Sequence, residues 1–148
     1  MELDEIIREW AEDAKIDPLQ PGLASIRTAS IHAKWLGYLS EERRKLKRMR
    51  LALTQHKNVL RSYYKGEMDK DQLANLKREP FRKKLLKADV DQEVDADPDV
   101  INTQVKIIDQ DEKVEALQEI MKQLTARQFQ ISNFIKWRAL AGGDSYAK

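Results

Sequence analysis

From Leu23 onward, apolar residues recur at three- and four-residue steps, the spacing of a helix face. Ile31, Trp35 and Tyr38 share one face, with Leu39 beside them. A shorter stripe ahead of them, Leu3, Ile6, Ile7 and Trp10, predicts a helix within residues 2–15. It stops before Asp17-Pro18, because proline disfavours a helical conformation in the residue preceding it, and Pro21-Gly22 completes a turn. Gly37 weakens the next helix, and Ser40-Glu41-Glu42-Arg43 resembles a fresh start, with an N-cap and an acidic first turn. Residues 23–65 therefore read either as one long helix or as two.

On a helical wheel Leu46, Met49, Leu53, Leu60 and Tyr64 fall within about 60°, a stripe suited to a core. Gly66 is placed to end this helix. Residues 67–88 are mixed, broken by Pro80, and carry a second basic cluster at Arg82, Lys83, Lys84 and Lys87. Residues 89–99 place an acid at every second position, which predicts an exposed linker or a short edge strand. From Asn102 to Leu140 the pattern is helical again. Val114, Leu117, Met121, Leu124, Gln128, Ile131, Ile135 and Arg138 hold a heptad-like seam, and Ile120, Phe129, Phe134 and Trp137 widen it. Gly142-Gly143 ends that helix and leaves a short tail.

The fold class expected is mainly α: elongated amphipathic helices, with a C-terminal helix forming an oligomeric bundle or ring. The expected divisions are an N-terminal helical region at 1–88, an acidic linker at 89–101, and an association helix with its tail at 102–148. Composition agrees. Of 148 residues, 41% are hydrophobic and 35% charged, with a mean hydropathy of −0.69, so the apolar stripes are narrow. The association seam is assigned to Val114, Leu117, Met121, Leu124, Ile131, Phe134 and Ile135.

Charge changes the picture most. The net charge is only +2, but residues 27–65 carry eleven Lys/Arg against two Glu, and residues 89–119 carry eleven Asp/Glu against two Lys. Arg43, Lys47, Arg50, Lys57, Arg61 and Lys65 cluster within about 80° beside the apolar stripe and extend over roughly 33 Å of helix. A solvated helix face normally mixes signs to gain i,i+4 pairs. Residues 43–66 contain no acid, so an external polyanion is the expected partner. The candidate DNA-binding residues are Arg43, Arg44, Lys47, Arg48, Arg50, Lys57, Arg61, Tyr63, Tyr64 and Lys65. Tyr63 lies off the core stripe and is the better stacking group, while Tyr64 sits on its border. Stacking beside a cationic groove suits single strands.

Other chemistry is sparse. His32 and His56 stand alone in the sequence, and no nucleophile elbow or phosphate-cradling glycine loop occurs. Asp89, Asp91, Glu93 and Asp95 would serve a metal-dependent nuclease, but the run fails the calcium-loop pattern. No metal, cofactor or catalytic residue is assigned. Cysteine is absent and no apolar run suits a bilayer, so a cytoplasmic location is expected, with no membrane partner.

An ordered set of short blocks resembles a known family. It comprises Ile16-Asp17, Lys34-Trp35-Leu36, Leu60-x-x-Tyr63-Tyr64-x-Gly66, Lys87-Ala88-Asp89-x-Asp91, Ala126-Arg127-x-Phe129-x-Ile131 and Arg138-Ala139. Across nearly its whole length the chain is similar to the UvsY recombination mediators of T-even-like tailed phages. The resemblance implies a small helical, non-enzymatic protein that binds single-stranded DNA and forms a ring-like homo-oligomer. It also implies roles in homologous recombination, recombination-dependent replication and repair, and two protein partners. One is the phage single-strand binding protein, which the mediator helps displace; the other is a RecA-like recombinase, which it loads. The family's Lys-x-Arg in the segment before the tyrosine pair is replaced here by Asn58 and Leu60, with Lys57 and Arg61 beside them. The alternative expectation is a helical adaptor whose basic helix binds an acidic protein surface.

Overall fold

The computed structural model describes residues 1–142 as five helices, with no strand among those residues. They are α1 (Leu3–Asp13), α2 (Pro21–Tyr64), α3 (Lys70–Leu76), α4 (Lys87–Asp95) and α5 (Pro98–Ala141). The choice left open for residues 23–65 resolves to one uninterrupted helix. Gly66 does end its path: it adopts φ 72° just past the helix, and the Gly66 and Glu67 amides close back on the carbonyls of Tyr63 and Ser62. The stop expected at Gly142-Gly143 is described only as far as Gly142, whose amide bonds the Arg138 carbonyl; the tail lies outside the described residues.

The chain forms two compact units, residues 1–44 with 111 onward, and residues 45–110. This is not the sequential division expected at residues 88 and 101, because α2 and α5 each contribute to both units.

The first unit is a three-helix arrangement. α1 runs antiparallel to α2: the Met1 ammonium lies 3.8 Å from Glu42, the Tyr38 hydroxyl donates to Glu9 at 3.0 Å, and the Trp35 indole donates to Asp13 at 2.8 Å. It runs parallel to α5, with Lys113 near Glu2, Trp10 donating to Gln123, and Arg127 donating to the carbonyls of Asp13 and Lys15. Arg127 thereby places a cation at the C-terminal end of α1, where unpaired carbonyls collect. Trp35 is fully buried, edge-on to Trp10 and Tyr38.

That packing consumes most of the seam expected to join protomers. Val114, Leu117, Leu124 and Ile131 are all buried within the single chain, and Met121 is half-buried. The heptad spacing is real, but its partners are α1 and the first half of α2. α5 leaves apolar side chains exposed near its start, at Ile101, Val105 and Ile108, and further along at Phe129, Ile135, Trp137 and Leu140, with Phe134 half-buried and tilted against Trp137.

In the second unit Leu60, Tyr64, Val90, Val94 and Val100 form the core, with Leu53, Tyr63, Phe81 and Leu85 packed around them. Here the linker expectation is overturned. Residues 87–95 are helix α4, with α5 starting at Pro98. The acids recur every two residues, but Val90 and Val94 are spaced i,i+4 and both are buried. A helix turns alternate residues some 200° apart, so it can bury the valines and spread the acids around the remaining surface. Helix α3 begins at a capping box, in which the Gln72 amide donates to the Asp69 carboxylate and the Asp69 amide to the Gln72 side chain. Lys77 ends it in the left-handed conformation at φ 55°.

Candidate nucleic-acid interface

The acid-free stretch of α2 behaves differently at its two ends. Arg43 and Arg44 close the first unit, and Lys45, Lys47 and Arg48 open the second. All five are exposed on the one helix, and none forms an ion pair or side-chain hydrogen bond among the described residues. Arg50 is exposed as well, but engaged elsewhere. Leu46 is buried between these cations, so the helix is anchored by one face while the other carries unneutralised charge. Five cations within six residues repel one another, and water and counterions offset part of that cost.

Toward the C-terminal end of α2 the cations are met by α4. Lys57 Nζ lies 3.3 Å from an Asp95 oxygen, and Arg61 Nε donates to Asp91 at 3.0 Å. Arg61 also bonds the Asn58 side chain. Asp91 and Asp95 are spaced i,i+4, one helical turn apart, which lets a single helix address both. Both carboxylates remain well exposed, so each pair is worth at most about 1 kcal/mol. Leu60, which stands where the resemblance implies a basic residue, is fully buried and belongs to the core.

The two tyrosines do not form a stacking platform. Tyr64 is buried, with its ring 4.9 Å from that of Phe81 and its hydroxyl donating to Asp97 at 2.7 Å. Tyr63 is half-buried against Tyr64 and Phe81, its hydroxyl donates to the Glu79 carbonyl, and the Arg78 guanidinium covers its ring at 5.0 Å. The wheel placed Tyr63 off the core stripe of α2. It could not show that the segment after α3 returns to cover that side.

A group that reading along the sequence missed holds this region together. Asp97 is almost completely buried and accepts two bonds from Arg78, at 2.7 and 2.9 Å, plus one from Tyr64. Its carboxylate also accepts from the Asp99 amide at 2.9 Å, which makes it the N-cap of α5. Arg78 reaches Asp99 as well, at 2.7 Å. Burial alone would raise the Asp97 carboxyl, but Arg78, Tyr64 and the Asp99 amide outweigh it and hold it down at about 2. Burial, then the bond to Asp97, pushes Tyr64 up to about 12. The available signal was Asp97-Pro98, an N-cap residue followed by proline at the first helical position. It was hidden inside the acidic run.

The metal reading of that run finds no support. Asp91 and Asp95 face cations, and no group of three or more His, Cys, Asp or Glu among the described residues is placed to hold an ion. No helix among them is long and apolar enough to cross a membrane.

Described residues that are helical throughout their regular elements, with a dense cationic surface open on one long helix, define a class: a helical protein with an exposed basic face. Within it, the chain belongs to the UvsY family, whose model, described as recombination, repair and ssDNA binding protein UvsY, matches residues 9–144. The fold is that seen in crystal structures of the bacteriophage T4 recombination mediator protein UvsY. One lattice form superposes with a TM-score of 0.82 at 19% identity, covering 95% of this chain and 99% of that one. A second also gives 0.82 at 19%, covering 96% and 98%, and a third gives 0.80 at 18%, covering 93% and 98%. No curated protein sequence matches the chain.

The geometry carries one prediction about the occupied cations. Asp91→Asn with Asp95→Asn should release Lys57 and Arg61 to a nucleic acid strand. Single-strand affinity then rises, and the slope of log affinity against log salt steepens by about 1.4, for two added phosphate contacts at ~0.7 each. Fluorescence anisotropy of a labelled oligothymidylate reads both. Unchanged affinity would mean that this end of the stripe lies outside the path of the strand.

Proposed function

We propose that this protein is a recombination mediator: it binds single-stranded DNA without sequence preference, helps displace a single-strand binding protein, and loads a RecA-like recombinase. The observation that carries the reading is the open run Arg43, Arg44, Lys45, Lys47 and Arg48, unpaired among the described residues. Family membership and the fold of the T4 mediator support it. Cations without base-reading groups engage phosphates, so affinity comes from counterion release and is indifferent to sequence. No bond is made or broken in this mechanism. The protein would hold the strand in a form that weakens the coating protein and exposes DNA to the recombinase.

The basic run of one chain is short, so assembly is the natural route to firm binding. Several runs joined in a homo-oligomer act on one strand at high effective concentration. With most of the heptad seam buried inside the protomer, Phe129, Ile135, Trp137 and Leu140 on α5, beside Phe134, offer an exposed apolar surface for assembly.

One experiment with two readouts tests the reading. Light scattering should give a mass that is a multiple of the 17.3 kDa protomer. The same preparation should shorten the lag of a RecA-like ATPase on DNA already coated with single-strand binding protein. A monomer that leaves the lag untouched would refute the proposal.

A further inference from the structure

The fold brings Lys65 beside three lysines of the second basic cluster, Lys83, Lys84 and Lys87. Lys65 lies just beyond the C-terminal end of α2, Lys83 and Lys84 lie in the segment between α3 and α4, and Lys87 is the first residue of α4. All four are exposed, and all four line one open groove of about 430 Å³ within the second unit. Its floor is apolar, made by Tyr64, Leu85 and Val90, two of which belong to the core of that unit. Among the described residues Glu67 is the one acid on its walls, so four positive charges face one negative there.

None of the four lysines has an ion pair among the described residues. This contrasts with Lys57 and Arg61 in the same unit, both met by α4 carboxylates. α4 thus neutralises one set of cations and leaves the set at its own start uncovered. The first turn of α4 reaches the groove through Lys87 and Val90, and its N-cap, Leu86, supplies no side-chain acceptor, so the helix end adds donors of the same sign.

Charge on the rim and apolar surface on the floor are what a nucleotide step presents in reverse: phosphate outside, sugar and base inside. A volume of this size is within the range of sites for small organic groups, about 300–1,000 Å³, and the open form lets a strand enter and leave. We propose that this groove is a second contact for single-stranded DNA, in which Lys65, Lys83, Lys84 and Lys87 hold consecutive phosphates while a sugar or base rests on Tyr64, Leu85 and Val90. Tyr64 lines that floor and is not a free stacking platform. The inference rests on the single-strand reading above and adds a separate site to it.

The test is the full-length protein with Lys83→Ala, Lys84→Ala and Lys87→Ala together, titrated with labelled oligothymidylate over a range of salt. Removing three phosphate contacts should lower the magnitude of the log–log salt slope by about 2, and arginine at the same three positions should restore it. Circular dichroism checks that helix content is kept, as expected for three exposed side chains. An unchanged slope, with binding still lost on alanine substitution of Arg43, Arg44, Lys47 and Arg48, overturns the groove and leaves the mediator reading intact. Absence of salt-dependent binding by the unaltered protein removes both. If the alanine variant loses poly-glutamate and not DNA, the groove belongs to an acidic protein segment and the proposal is wrong.

Discussion

Alanine at Arg43, Arg44, Lys47 and Arg48 together is expected to weaken single-stranded DNA binding by two to three orders of magnitude at about 0.1 M salt. Each phosphate contact to a single strand contributes about −0.7 to the slope of log affinity against log salt, so four contacts account for nearly 3. Projected from 1 M, where the electrostatic contribution is largely gone, to 0.1 M, that slope is a factor on the order of several hundred. The four side chains are exposed, so the substitutions leave the core alone and relieve mutual repulsion. Lysine in place of the three arginines should keep the slope, because counterion release depends on charge and not on the guanidinium fork. Anisotropy titrations from low to high salt decide the matter. A quadruple variant with the original slope would place the strand elsewhere on the molecule.

Asp97→Ala is expected to lower stability by about 3–5 kcal/mol, the cost of leaving one half of a buried ion pair behind. Four bonds disappear together: two from Arg78, one from the Tyr64 hydroxyl and one from the Asp99 amide that begins α5. Arg78 keeps Asp99 and the face of Tyr63, which moderates the loss without replacing the buried acceptor. Asp91→Ala is the matched control, an exposed acid whose removal should cost no more than about 1 kcal/mol. Urea denaturation of the two variants measures the contrast. The same carboxylate predicts an acid limb. Its folded value of about 2 lies below its ordinary 3.8, so its share of stability is present above roughly pH 4 and is lost as pH falls toward 2. At about 1.4 kcal/mol per unit that share is on the order of 2–3 kcal/mol, and the alanine variant should lack it.

The two readings of residues 89–99 show where sequence and structure part. An acid at every second position is conspicuous, and it suggested a chain with nothing to bury. Val90 and Val94 carried the true period, but two valines among six acids are a faint signal until Leu60 and Tyr64 of α2 are seen against them. The heptad seam on α5 misled in the opposite way. Its spacing was correct, yet spacing cannot say whether the facing helix belongs to the same chain, and here α1 and α2 take that place. Tyr63 is a third case. Its position on the wheel was right, and its availability was removed by Phe81, Arg78 and the Glu79 carbonyl, all distant from it in sequence.

What the sequence determined by itself is whatever depends on near neighbours: the helical period, the break at Gly66, the missing acids between residues 43 and 66, and the ordered blocks of the family. Helix formation and local charge density are properties of a few consecutive residues, so they are written where they act. Only the tertiary structure decided which cations stay open and which face carboxylates, that Asp97 would be buried beneath Arg78, and that Lys65 would share a groove with Lys83, Lys84 and Lys87. Those outcomes depend on which segments return to the same place. The burial of side chains far apart in the sequence sets that, and a pattern read along one strand of text cannot contain it.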